Sequence, residues 1–189
     1  MPDAFSHVRL ILGFVISLSL ARLLTGLARF VQHPDVRRDP IHLVWAVSIL
    51  LLLVLFWWWE FWLGTLTVWS FPVYVFLIAF VFQLYLLTTL LFPDNIAEYE
   101  SYGDYFMSRR KWFFGLFACV NAFDAVDTLI KGPAHASQYE LDYWLQAPVY
   151  CLLCAIAMFT AKRKFHYGFA VLNLVYQSFY AVRAFTVLG

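Results

Sequence analysis

Charged residues are scarce in this chain, at 13% of 189 positions, whereas a soluble domain carries about 25%. A net charge of +1 leaves no electrostatic footprint for nucleic acid. Cysteine is scarce too. Cys119, Cys151 and Cys154 all lie inside apolar runs, and an odd, embedded set excludes a disulfide framework. The Cys151-Leu152-Leu153-Cys154 spacing has no other ligands near it and reads as small apolar packing. No Gly-rich phosphate loop, nucleophile elbow or zinc-protease helix motif is present. The five histidines stand at the ends of apolar runs or between them, so none can face another across a haem. These absences argue against an enzyme, and no cofactor, metal site or catalytic residue is expected.

What is present is apolar. Hydrophobic residues make up 63% of the chain and aromatics 21%, and the mean hydropathy is +0.72. A small soluble core cannot absorb that much apolar surface. Lipid can, and the expected fold class is an all-α integral membrane protein forming a single transmembrane domain over residues 1–189. A span needs about 20 apolar residues, and six stretches meet that, about 5–31, 41–63, 71–92, 112–131, 141–160 and 166–187. The first has a faint signal-peptide look but lacks a small-x-small cleavage site, so it is read as a retained span. The breaks carry turn chemistry: His33-Pro34-Asp35, Gly64 with Pro72, Pro93-Asp94-Asn95, Gly132-Pro133 and Lys162-Arg163-Lys164.

Basic residues gather at alternate breaks. Arg29, Arg37 and Arg38 flank the first, Arg109, Arg110 and Lys111 close the third, and Lys162 to Lys164 fill the fifth, while the even breaks hold only Lys131. The positive-inside rule then places the odd loops in the cytoplasm and both termini outside. The Trp57-Trp58-Trp59 run reads as an interfacial belt, with a ligand-binding aromatic cage as its alternative. Glu60, beside it, is expected to reach the headgroups. Residues 93–111 form the longest polar segment, a solvated loop or a docking element for a cytoplasmic partner. Lipid is the first partner expected, and a second copy of the chain is compatible with the pattern.

Ionisable groups at membrane depth usually face a partner or a water-filled cavity. Arg22, Asp124, Asp127 and Arg183 are the candidates. At 1.5 Å per residue, Arg22 lies roughly 5 Å inward of its span's midpoint and Asp124 about 4 Å outward, each leaning toward the other. The four are therefore expected to form one neutral charge network. Asn121, Asp124, Asp127 and Thr128 share a helix face, and Gln83, Asn173 and Gln177 add polar lining. The stripe is either a proton or ion path or an electrostatic clamp on helix packing. An ungapped slide also aligns Arg22 with Asp124 and Gly13 with Gly115, which suggests two inverted three-helix halves.

The segments Ile11-Leu12-Gly13, Ala21-Arg22-Leu23-Leu24-Thr25-Gly26-Leu27-Ala28-Arg29, Arg110-Lys111-Trp112-Phe113-Phe114-Gly115-Leu116 and Asp124-Ala125-Val126-Asp127-Thr128-Leu129 resemble small multi-pass proteins of bacterial inner membranes whose function is uncharacterised. The resemblance implies that membrane and lends no catalytic residues. Two functional expectations follow from the residues. One is a permeation or transport unit for a proton, small ion or solute using the Arg/Asp network. The other is a non-catalytic subunit or sensor whose buried charges are structural.

Overall fold

Helices form where long apolar runs meet capping residues, and the computed structural model describes residues 2–32, 38–66 and 68–187. They comprise α1 (Pro2–Gln32), α2 (Pro40–Trp59), α3 (Phe71–Thr89), α4 (Tyr102–Ile130), the single turn α5 (Pro133–Ala136), α6 (Leu141–Phe159) and α7 (Arg163–Val187), with no strand among the described residues. Short 3₁₀ turns follow α2 (Glu60–Thr65) and precede α4 (Ile96–Glu98). The His33-Pro34-Asp35 turn and Arg37 lie outside the described residues. Asp39 starts α2 by accepting from the Ile41 and His42 amides, and Pro40 occupies the first helical position, where a missing N–H costs nothing.

Five of these helices, α1, α2, α3, α4 and α6, are long and apolar enough to cross a membrane. They leave large hydrophobic side chains exposed along their length. On α6 the exposed residues are Leu141, Leu145, Val149, Leu152, Ile156 and Phe159, at three- and four-residue spacing, a continuous stripe that only lipid or another apolar surface covers. The helix at 166–187 exists within α7, but Asn173 and Gln177 interrupt its apolar run and it falls outside that set of five. The fourth helix begins ten residues earlier than 112, because Ser101 caps it by accepting from the Asp104 amide and Tyr102, Gly103, Tyr105 and Phe106 turn inward. Much of the 93–111 segment is therefore bundle rather than loop.

The first, third and fifth connections meet at one end, here the basic end. Asp39 pairs there with Arg163, and the Arg29 guanidinium donates to the Pro93 carbonyl. The second and fourth connections meet at the far end, where the Trp62 ring packs against His135 at 4.8 Å with a tilt of 42°. α1 packs chiefly along α3, α4 along α6, and α2 against α7. The two three-helix halves expected from the sequence would therefore differ in packing order, since α1 lies chiefly on α3 whereas α4 lies chiefly on α6. Toward the basic end sits an aromatic layer. Trp45 is fully buried, with Phe113, Phe114, Phe117 and Phe169 edge-on around it at 5.1–5.5 Å, the geometry that ring quadrupoles favour.

Two glycines permit close backbone approach. A Cβ on Gly103 would stand 2.3 Å from the Asp39 carboxylate, and one on Gly26 would stand 2.3 Å from the Phe92 ring. Gly103→Ala should lower thermal stability in detergent by about 1–3 kcal/mol, as overpacking does, because Asp39 cannot retreat without leaving Arg163 and the α2 amides. Gly168→Ala, with open space around it, should be neutral or stabilising. Equal melting temperatures for both variants would refute the close-approach argument.

Candidate functional site

Asp124 sits two turns from the far end of α4, and its carboxylate opens onto a cavity enclosed by α2, α3, α4, α6 and α7. The space open to the centres of water molecules is about 60 Å³, enough for roughly four to six water-sized groups. Asp124 supplies its one carboxylate, and no lysine, arginine or histidine lines it. The only hydrogen-bond partner of that carboxylate among the described residues is the Tyr143 hydroxyl, which donates to Oδ2 at 2.9 Å. Tyr143 in turn meets the Thr128 hydroxyl at 2.5 Å. Asn121 lines the wall while its Nδ2 donates to the Phe117 carbonyl. Tyr176 donates to Gln146 Oε1 at 3.1 Å. Asn173 Nδ2 and Gln177 Oε1 have no hydrogen-bond partner among the described residues. Trp59, Tyr176 and Tyr180 complete an aromatic wall, with Trp59 and Tyr180 packed edge to face.

Beside the cavity lies a second buried group. The Lys131 ammonium stands 2.9 Å from Glu60 Oε1 and 2.5 Å from Asp127 Oδ2, and all three residues are under a tenth exposed. One oxygen of each acid, Glu60 Oε2 and Asp127 Oδ1, lacks a hydrogen-bond partner among the described residues. The cluster ties the turn after α2 to the end of α4. His135, on α5, is buried close by, and burial with the Lys131 charge pushes its pKa down to about 4.

The expected four-residue network does not assemble. Arg22 donates to Asp94 at 2.6 Å and to the Phe92 carbonyl at 3.0 Å, at the basic end and away from Asp124. Its guanidinium holds the Asp94 carboxyl below the usual range, so this pair persists above the ordinary carboxylate pKa and loosens only in stronger acid. Arg183 pairs with Glu140 at 2.9 Å and Asp142 at 3.1 Å on the neighbouring start of α6. Asp127 goes to Lys131 rather than to an arginine. The physical reason is reach: each arginine finds a carboxylate near a helix end before it needs one at depth. Of the expected lining, Asn121, Asn173 and Gln177 face the cavity, Thr128 reaches it through Tyr143, and Gln83 stays apart. Glu60 turns inward instead of toward headgroups. Tyr143 and Gln146 carry no sequence signal as lining, whereas Trp59 belongs to the run whose alternative reading is an aromatic cage. The sequence did signal Lys131, four residues after Asp127 and on the same face.

Among the described residues no group of histidine, cysteine and acid side chains could hold a metal ion. The fold and cavity define a membrane-protein candidate, helical throughout its described secondary structure, with an internal, largely apolar chamber that holds one carboxylate and a few amide and hydroxyl groups. No family model, no curated protein and no solved structure matches the chain.

Lys131→Met should destabilise the protein strongly, by about 3–5 kcal/mol, because it strands two buried carboxylates. Adding Glu60→Gln and Asp127→Asn should restore most of the loss. A triple variant no more stable than Lys131→Met would contradict the electrostatic assignment. For His135 the sign is also defined. The folded state favours the neutral ring, so stability should fall as pH drops from about 6.5 toward 4. His135→Gln should flatten that part of the melting-temperature profile in detergent, and an unchanged slope would exclude the role.

Proposed function

We propose that the chain is a membrane permeation or transport unit for a proton, small ion or solute, and that the Asp124 chamber is its binding site. The observation that supports this reading is a carboxylate inside a helical bundle with a tyrosine as its only direct partner. Asp124 lacks an ion pair among the described residues, while neighbouring Asn173 and Gln177 keep unpaired amide atoms. Intramembrane acids without a structural cation commonly mark a ligand or ion path. Asp127, Arg22 and Arg183 have their own partners and belong to the architecture in this reading.

The reading takes α7 as a sixth span, since Leu172, Val175, Phe179 and Val182 form an exposed stripe along it. Six spans with the basic end in the cytoplasm put both termini outside, in a bacterial inner membrane as the sequence resemblance implies. The second reading is a non-catalytic membrane subunit or sensor that holds the ligand without passing it. The packed layer around Trp45 favours it, because Trp45 and Phe169 lie one to two turns toward the basic end from the chamber residues on their helices, and Phe117, which packs on Trp45, itself lines the chamber. A cytoplasmic partner would then dock on the turn at 93–101.

Flux of protons and cations into liposomes containing the purified chain tests the proposal. Asp124→Asn should abolish the flux, and Arg22→Gln should leave it within about twofold, since Arg22 contributes to the basic end rather than the chamber. Flux retained in a folded Asp124→Asn protein, or absent from wild type, would overturn the transport reading.

A further inference from the structure

We propose that the chamber binds a small organic ammonium ion, with the Asp124 carboxylate as counter-ion and aromatic rings as its cage. This rests on the chamber being the binding site and adds the chemical class of its occupant. The chamber carries one formal negative charge and no positive one. The nearest ammonium, Lys131, is committed to Glu60 and Asp127. The Asp124 carboxylate is therefore the chamber's one uncompensated charge among the described residues.

The wall decides which cation. A bare metal cation wants about six or more oxygen ligands to replace its water. Besides the Asp124 carboxylate, the chamber lining has only neutral amide and hydroxyl oxygens, from Asn121, Gln146, Asn173, Gln177 and the tyrosines. Gln146 Oε1 already accepts from Tyr176, so one carboxylate is the only charged ligand the chamber gives a metal. The remaining wall is largely aliphatic and aromatic, with Trp59, Tyr143, Tyr176 and Tyr180 all contributing. Rings attract a cation through their negative faces and suit alkylated ammonium groups, whose surface is apolar and whose charge is diffuse. An apolar rim with one carboxylate fits such a ligand and disfavours an anion. The volume limits its size. About 60 Å³ of water-centre space admits up to roughly four to six heavy atoms, which takes in tetramethylammonium and the smaller ethylammonium. Asn173, 1% exposed with a free Nδ2, offers a donor suited to a hydroxyl or carbonyl oxygen carried on the same ligand.

The test is calorimetric titration of the full chain in lipid nanodiscs with tetramethylammonium, ethylammonium, sodium, acetate and uncharged tert-butanol. The two ammonium ions should bind saturably, and acetate and tert-butanol should not. Asp124→Asn should weaken ammonium binding about a hundredfold or more. Trp59→Leu, which spares the carboxylate, should weaken tetramethylammonium about tenfold. Arg22→Gln should bind as wild type. If Asp124→Asn proves unstable in a melting assay, Trp59→Leu carries the test. No ammonium binding by wild type would overturn the proposal, as would sodium binding that depends on Asp124 without ammonium binding. The sodium result would leave the transport reading standing. Ammonium binding without flux would support the ligand class while removing transport.

Discussion

A single ammonium between two carboxylates organises the far end of the bundle. Lys131 ends α4, and its charge draws Glu60 from the turn after α2 into the protein. Without that pull Glu60 would lie among tryptophans at the boundary of the apolar region, and α2 and α4 would have no polar tie there. The chamber depends on this tie in two ways. Trp59 is the residue before Glu60, so the turn that buries the acid also sets the indole against Tyr180. Lys131 is also consumed by the cluster, which leaves Asp124, two turns back along α4, without a direct cation. In a low-dielectric bundle a cation neutralises one site at the expense of another.

The basic end is held differently. Asp39 uses one carboxylate oxygen to cap α2 and the other to hold Arg163, joining the first and fifth connections through one side chain. Arg22 and Arg29 clasp the backbone just after α3 through the Phe92 and Pro93 carbonyls. These carbonyls lie just past the α3 C-cap, Leu90, where no helical amide follows to satisfy them. Arginines thus clasp backbone carbonyls at one end, whereas a lysine bridges two carboxylates at the other.

The helices and the polar face of α4 were legible because each follows from spacing alone: Asn121, Asp124 and Thr128 recur at three and four residues. The pairing of Arg22 was not. Depth arithmetic placed it opposite Asp124, but α3 stops at Thr89 and the chain folds back so that Phe92 and Asp94 come within reach. No period in the sequence encodes that return. Glu60 was misread for a related reason. Its flanking tryptophans signal an interface, whereas the 3₁₀ turn that rotates it inward is a tertiary response to Lys131. The aromatic lining was half legible. The Trp57–Trp59 run contained the cage alternative, yet only the fold separates Trp58, exposed at 42%, from Trp59 in the chamber.

The helices differ in length, and the bilayer must reconcile them. α6 has 19 residues, about 28 Å, which matches an ordinary hydrocarbon core of about 30 Å. α1 has 31 residues, about 46 Å, so it must lean steeply or carry turns beyond the lipid tails. α1 packs chiefly on α3, also 19 residues long, and the two cannot both stand upright and end level. A thinner bilayer would press α1 further over while α6 stayed matched. The angle between the α1–α3 pair and the α4–α6 pair is thus coupled to membrane thickness, and α2 and α7, which wall the chamber between them, lie where that change of angle would be felt.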